Sequence, residues 1–429
     1  MTLVRAFTNV YGFTIQRQSV SYGARKPNLF YVKHRRQFAS SKRSSFRILG
    51  IETSCDDTGV AIVNSERQLL GDAIHNQNQI HLENGGILPP VAGFHHRANM
   101  EPVANQAFTA AGLTMSDIDA VAATIKPGLS LSLEVGMKYG TFLCKKWKKP
   151  FIPIHHMEAH ALTARMVDEN VRFPFLVLLI SGGHCLLALV EGVDSFLLLG
   201  KSMDIAPGEV FDKFHRQLKL RNIAELSHLS GGHAVEVMAR KATNPVEFKF
   251  EPFSSDVTCD FFFSGMVTKI KHFIAEEEVK YGTTADGVIE SAPNLCAAMQ
   301  LSITKHLCRR VERAMLFLER KSLIPSSSRS LVVSGGVAAN KFIANGLKLV
   351  CDNYNYHLSV PPPKLCNDNG VMIAWNGVER YRENVGILKW NQLDDVQVST
   401  KCPLGKDIRQ SVKDEKISRV RYVKLKGLV

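Results

Sequence analysis

The chain has 429 residues, 45% of them hydrophobic and 22% charged, enough for two domain-sized cores at roughly 100–200 residues each. Its longest unbroken aliphatic and aromatic run is about six residues, Phe175 to Ile180, far short of the roughly 18–20 that cross a bilayer as a helix, so a membrane-spanning helix is excluded and no membrane partner is expected. Nine cysteines, an odd number with no C-x-x-C pair, exclude a disulfide scaffold and a cysteine zinc knuckle and point to a reducing compartment.

The formal net charge of +13 is unevenly placed. Residues 1–46 carry nine Lys and Arg and no Asp or Glu, and subtracting those nine leaves +4 for the remainder. An acid-free, Arg- and Ser-rich start has the composition of a mitochondrial transit segment. Arg36-Gln37-Phe38 followed by Ala39 suits a processing point near Phe38/Ala39. The plainer alternative is a disordered basic tail.

Folding is expected to begin at Phe46. Ile48-Leu49-Gly50-Ile51 runs into the polar stretch Glu52 to Asp57 and returns through Gly59 to Val63, which reads as a β-hairpin with a polar turn. Ala120–Thr124 reads as a strand ending before Pro127-Gly128, and helical periodicity follows from about Ser130 to Trp147. Leu176–Ile180 enters Ser181-Gly182-Gly183-His184 and returns through Leu186–Val190, a second hairpin of the same design. The chain therefore looks internally duplicated, and its alternating strands and helices indicate an α/β fold. A third glycine turn, Ser334-Gly335-Gly336, leads from the apolar strand Leu331–Val333 to a helix near Asn340. Glycines let a backbone approach a ligand closely, and a helix start favours an anion. One such turn is more often a plain turn, but three of them favour a nucleotide cleft between two similar lobes.

His156 and His160 stand at i and i+4, so on a helix both project from one face with the spacing that one metal ion needs. A metallopeptidase is rejected, because that motif puts glutamate directly after the first histidine and Met157 stands there. Glu158 is expected on a different face, and Asp368 is a candidate third ligand. Asp212, at a loop-to-helix junction, is either an ordinary helix-start acid or an acceptor for a ligand's hydroxyls. Lys145, Lys146, Lys148 and Lys149 either complement the end of a helix or touch RNA phosphates. The basic stretch from Lys401 is either a second basic surface or a solvated tail.

Gly50–Thr58, His155–His160, Ser181–His184, Gly208–Lys213, Phe263–Gly265, Ser334–Asn340 and Asp368–Gly370 occur in the order of one family. From about residue 47 to 390 the sequence resembles the tRNA N6-adenosine threonylcarbamoyltransferases, and within them the mitochondrial branch. The resemblance implies an actin-like fold of the sugar kinase/Hsp70 type, a pair of ribonuclease-H-like lobes with a nucleotide and metal cleft between them. The expected division is a transit segment 1–46, an N-terminal lobe 47–170, a C-terminal lobe 171–395 with a helical insert, and a basic tail 396–429. The implied ligand is threonylcarbamoyl-AMP, supplied by a separate synthase. The implied reaction passes its acyl group to N6 of the adenosine 3′ of the anticodon in mitochondrial tRNAs that read codons beginning with A, in the matrix.

Carried over by motif, His156, His160 and Asp368 are the metal ligands for one divalent ion (zinc, iron or magnesium). Leu179, Ile180, Ser181, Gly182, Gly183, Asp212, Gly232, Glu236, Gly336, Asn340 and Asn367 fall at substrate positions. Asp56 and Asp57 match the acidic pair beside the transferred group, and either is a candidate acceptor for the adenine proton. A homodimer is left open. The sequence departs from the family pattern at Lys126, in place of the first glycine of G-P-G-L, and at Val267, in place of the lysine of F-S-G-L-K-T, with Lys269 as the nearest displaced lysine. The rival readings are a non-catalytic adenylate-binding module and a kinase or ATPase of the same superfold.

Overall fold

β1 (Arg47–Glu52) and β2 (Asp57–Asn64) are buried along nearly their whole length, as strands covered on both faces must be. They form the first expected hairpin, with Arg47 opposite Asn64 and Glu52 opposite Gly59. The computed structural model describes residues 45–84, 86–250, 257–283 and 286–418; the expected processing point near Ala39 lies outside them. β3 (Leu69–Asn76) extends the meander antiparallel to β2. β4 (Ala120–Lys126) adds parallel to the other side of β1, and β5 (Phe151–His155) parallel to β4. The expected helix between these two strands runs Ser130–Trp147.

The second half repeats this plan. β6 (Phe175–Ile180), β7 (Cys185–Val190) and β8 (Phe196–Lys201) form an antiparallel meander, and β9 (Ser330–Ser334) and β10 (His357–Ser359) add in parallel on the far side of β6. The sheet orders are β3-β2-β1-β4-β5 and β10-β9-β6-β7-β8, the latter extended beyond β8 by β11 (Lys406–Asp407), so five strands have the same connectivity twice. Two such sheets with helices packed against them make the actin-like pair of ribonuclease-H-like lobes. Among the described residues no helix is long and apolar enough to cross a membrane.

Helix Gly370–Glu383 falls in the span 171–395 expected to form the second lobe, yet it packs on β1, β2, β4 and β5 of the first sheet. Val371, Met372, Ile373, Ala374 and Trp375 are all buried there. The close approach depends on Gly50, where a Cβ would collide with the backbone nitrogen of Ala374. Its apolar residues join Ile48 of β1 and Val177 and Val332 of the second sheet in one core cluster, so the lobes share packing and the boundary by residue number is not a boundary of the fold.

Of the expected basic tail 396–429, residues 419–429 lie outside the described residues, and the part up to 418 is packed rather than simply solvated. β11 (Lys406–Asp407) pairs in parallel with β8, and helix Arg409–Asp414 follows. Leu404, Val412 and Ile417 are buried, and Arg409 reaches Asp407 at 2.8 Å and Asp260 at 3.2 Å. Apolar residues spaced between the charges give this segment a reason to close the sheet edge rather than remain solvated.

Candidate functional site

β5 ends at His155 and the helix His156–Leu162 begins at once. His155 is the N-cap: its Nδ1 accepts the Met157 N–H at 3.2 Å, and its Nε2 faces the Cys402 carbonyl at 3.2 Å. These partners require a neutral ring protonated at Nε2, and burial pushes the group down to about 4. One turn of helix sets the rings of His156 and His160 with centroids 4.7 Å apart and nearly perpendicular.

Asp368 comes to these rings from 208 residues further along the chain, with Oδ1 at 3.1 Å from His160 Nε2 and 3.5 Å from His156 Nε2. It precedes the helix Gly370–Glu383, whose N-cap Asn369 accepts the Met372 N–H at 2.9 Å. One ligand atom from each of the three lies within 4.8 Å of the others. The expected trio is thus brought together, and two imidazoles with one carboxylate are a donor set suited to a divalent ion.

The surroundings fit that use. Glu52 is fully buried and accepts the Ser54 N–H and the Thr124 hydroxyl, both at 2.5 Å. Its other contact is His156 Nδ1 at 3.3 Å, beside Ser54 Oγ at 3.1 Å from the same nitrogen. A carboxylate on the far nitrogen fixes the tautomer that leaves Nε2 free to bind. Burial disfavours a charged His156, but Asp368 and Glu52 outweigh it and push the group up to about 9. Asp368 is held well below the usual carboxylate range by His156 and His160 against the cost of burial. The cluster is a buried centre that draws positive charge, which a proton or a metal cation supplies. Nδ1 of His160 has no hydrogen-bond partner among the described residues.

Asp56 and Asp57 occupy the turn into β2. Burial, then Asp56 and Asp368, push Asp57 up to about 7, although Asn76 donates to its Oδ1 at 2.6 Å. Cys55, in the same turn, is kept protonated by burial and by Asp56, so it is no thiolate nucleophile.

Leu179 and Ile180 end β6, and Ser181, Gly182 and Gly183 form the turn after it. Gly335 packs against Ile180 with φ +101°, and a Cβ there would collide with the Ile180 carbonyl, so this junction of the two glycine turns needs glycine. Gly336 adjoins Asn367, whose Oδ1 would lie 3.3 Å from a Cβ at that glycine. Through Gly335 and Gly336 the end of β6 thus lies close to Asn367, the neighbour of Asp368 in sequence. Asn340 instead caps the helix Lys341–Tyr354, accepting the Ile343 N–H at 3.1 Å while its amide donates to Gln300 at 2.9 Å. Glu236 accepts the Lys341 N–H at 3.2 Å. Asp212 is interior to the helix Pro207–Gln217 rather than at its first turn, beside Gly231, with Gly232 against Phe211. Asp212 is exposed at the surface, and partial desolvation raises its pKa against the pull of Arg216 and Arg221.

Three contributors carried no role in the sequence reading: Glu52, Ser54 and His184. His184 closes the Ser181 turn, its backbone N–H donating to Ser181 Oγ at 3.1 Å; partial desolvation and the field of His156 and His160 lower its pKa, although the residue is exposed at the surface. A charged residue ending an apolar strand was the available signal for Glu52. The lysines of Lys145–Lys149 sit at the opposite end of helix Ser130–Trp147 from the turn at Ser54, about 27 Å away at 1.5 Å per residue. Lys145 pairs with Asp394 at 2.6 Å and Lys149 donates to the Ser116 carbonyl at 3.2 Å, whereas Lys146 and Lys148 stand over the rings of Phe142 and Trp390.

Residues 68–375 match the family model of the tRNA N6-adenosine threonylcarbamoyltransferases. A mitochondrial tRNA N6-adenosine threonylcarbamoyltransferase of Mus musculus is 48% identical, covering 86% of this chain and 89% of its own. The Homo sapiens protein of that name is 47% identical with the same coverage. Among solved structures, component A of the (R)-2-hydroxyglutaryl-CoA dehydratase of Acidaminococcus fermentans covers 79% of this chain and 99% of its own, with 13% identity and a TM-score of 0.43. The chain belongs to the tRNA N6-adenosine threonylcarbamoyltransferase family, and it is a transferase that acts on tRNA.

Proposed function

We propose that the chain takes threonylcarbamoyl-AMP from a separate synthase and transfers its acyl group, in the mitochondrial matrix, to N6 of the adenosine 3′ of the anticodon in tRNAs reading codons that begin with A. The observation that carries the chemistry is the convergence of His156, His160 and Asp368 within 4.8 Å beside a glycine-lined rim. In this reading the adenylate lies along Leu179–Gly183, Gly336 and Asn367, with Asp212, Gly232, Glu236 and Asn340 as its more distant contacts.

The donor is a mixed anhydride with a good leaving group, so placement and charge stabilisation supply most of the acceleration. N6 attacks the carbamoyl carbon, the bond from that carbon to the phosphate oxygen breaks, and AMP leaves with the electron pair. Asp57, poised near 7, accepts the proton that N6 loses. A divalent ion held by the trio supplies Lewis acidity toward the donor's oxygens when bound, and two imidazoles favour zinc or iron over magnesium. Glu52 holds the His156 ring at Nδ1, and Cys55 stays protonated and out of the reaction.

Reconstitution tests this reading. The chain, a threonylcarbamoyl-AMP synthase, threonine, bicarbonate, ATP and unmodified tRNA are combined, and the nucleosides are analysed by mass spectrometry. Modified adenosine is expected only with both proteins present. Modification by this chain alone would overturn the donor, and no product with threonylcarbamoyl-AMP supplied directly would overturn the reaction.

A further inference from the structure

The cleft between helices Pro207–Gln217 and Ser264–Tyr281 serves none of the steps above. It measures about 240 Å³ and is lined by Lys213, Arg216, Gln217, Val267 and Lys271. Three of these five are cations. Lys213 is balanced by Glu209 at 2.7 Å, but among the described residues no carboxylate lies within ion-pair distance of Arg216 or Lys271. Like charges gathered at one concavity raise the local potential and concentrate an anion there. The volume is several times the roughly 30 Å³ share of one water, so a tetrahedral oxyanion fits.

Val267 and Lys271 are four residues apart on one helix, a spacing that sets both on one face, and both line the cleft. Lys271 therefore faces the same cleft as Arg216, one cation from each of the two helices. The Lys269 considered from sequence is not among the lining residues.

The position of the cleft identifies the source of the anion. Helix Pro207–Gln217 starts against the substrate rim, where the Gly208 N–H donates to the Ser181 carbonyl at 3.1 Å. Lys213 to Gln217 lie five to nine residues further on, about 8–14 Å along the axis. That distance corresponds to roughly two to four nucleotides at about 3.4 Å per residue of a strand. A donor bound at the rim has its phosphate at the glycine turns, too near to reach the cleft, whereas a polynucleotide extends past it.

We propose that this cleft seats a backbone phosphate of the tRNA a few nucleotides from the adenosine being modified, with Arg216 and Lys271 as its contacts. The proposal rests on the transferase reading above. The test uses the full chain and an unmodified tRNA transcript, with binding measured between about 50 and 200 mM salt, the range over which phosphate contacts dominate affinity. Arg216→Gln and Lys271→Gln are each expected to lower the slope of log affinity against log salt by about 0.7–0.9, and the double variant by about twice that, while Lys271→Arg keeps the slope. A double variant with unchanged melting temperature and the wild-type slope would overturn the proposal. So would a loss of affinity for AMP or inorganic phosphate with the tRNA slope unchanged, since the cleft would then serve a small anion. Failure of the wild-type chain to bind tRNA at all would instead overturn the transferase reading along with it.

Discussion

The Glu158 carboxylate meets the Arg380 guanidinium at 2.6 Å, although the two stand 222 positions apart in sequence, and both side chains are about nine-tenths buried. Glu158 lies between the two histidines in sequence but points away from them, as helical spacing requires. Arg380 belongs to the helix that starts just after Asp368. The pair therefore clamps together the two elements that carry the three candidate ligands. Arg165 and Glu379 repeat the clamp at 2.9 Å.

Removing one partner of a buried pair strands the other charge, which costs about 3–5 kcal/mol. Glu158→Gln is expected to destabilise the protein by that order in urea unfolding, and Glu158→Gln with Arg380→Met to regain a large part of it. A loss below about 1 kcal/mol, the range of an exposed pair, would mean that the contact is solvent-screened and no clamp.

His155 links pH to the same helix. Its ring is neutral in the folded state, with its pKa pushed down to about 4 by burial, against about 6.5 in an unfolded chain. The unfolded state binds the proton first as pH falls, so stability is full above about 6.5 and is lost on descending to 4. At about 1.4 kcal/mol per unit, the loss reaches about 3 kcal/mol. Protonated Nδ1 can no longer accept the Met157 N–H. His155→Asn retains a capping side chain without a titrating group, and its melting temperature should fall less between pH 7 and 5 than that of the wild type. Parallel curves for the two proteins would remove His155 as the cause.

Local patterns made most of the frame legible. Apolar runs around a polar or glycine turn marked both hairpins, and the i, i+4 histidines needed only a helix to share a face. What escaped was long-range. Nothing near Gly370–Glu383 in sequence says that its buried residues belong to the first sheet, because an apolar helix face specifies burial and not its partner. Likewise Lys401–Arg409 reads as a charged tail until Leu404 and Val412 are seen to have a sheet edge to cover. Glu52 was hidden because it opens the polar stretch that reads as a hairpin turn, where an acidic residue ordinarily faces water, whereas it ends β1 and is buried.

Asp57 sets an expected pH profile for transfer. A general base works in its deprotonated form, and burial with Asp56 and Asp368 pushes Asp57 up to about 7. Single-turnover transfer from supplied threonylcarbamoyl-AMP should rise close to tenfold per pH unit below that value and level off above it. Asp57→Asn is expected to lower the rate by about 10²–10⁴-fold, the usual contribution of a positioned base, and to abolish the rising limb. A rising limb that persists in Asp57→Asn would assign the proton to another group, with Asp56→Asn the next variant to measure.

The most exposed prediction concerns His156, His160 and Asp368. If they hold one ion together, each replacement by alanine removes a ligand, and metal affinity should fall by more than the 10–100-fold typical of losing a supporting contact. Transfer should fall with it. The fold should survive, because each lobe has its own hydrophobic cluster away from the trio. Packed or capping imidazoles would behave in the opposite way, with lower stability and no metal dependence. His156 adds a sharper distinction, since Glu52 and Asp368 push its pKa up to about 9 against the cost of burial. At pH 7 the metal-free ring carries a proton that a cation at Nε2 must displace, so metal uptake should release protons in weakly buffered solution. Titration of the metal-stripped chain with zinc, followed by pH and by calorimetry, measures that release, and His156→Ala should reduce it. Zinc uptake without proton release, or full transfer activity after exhaustive chelation, would refute the metal assignment.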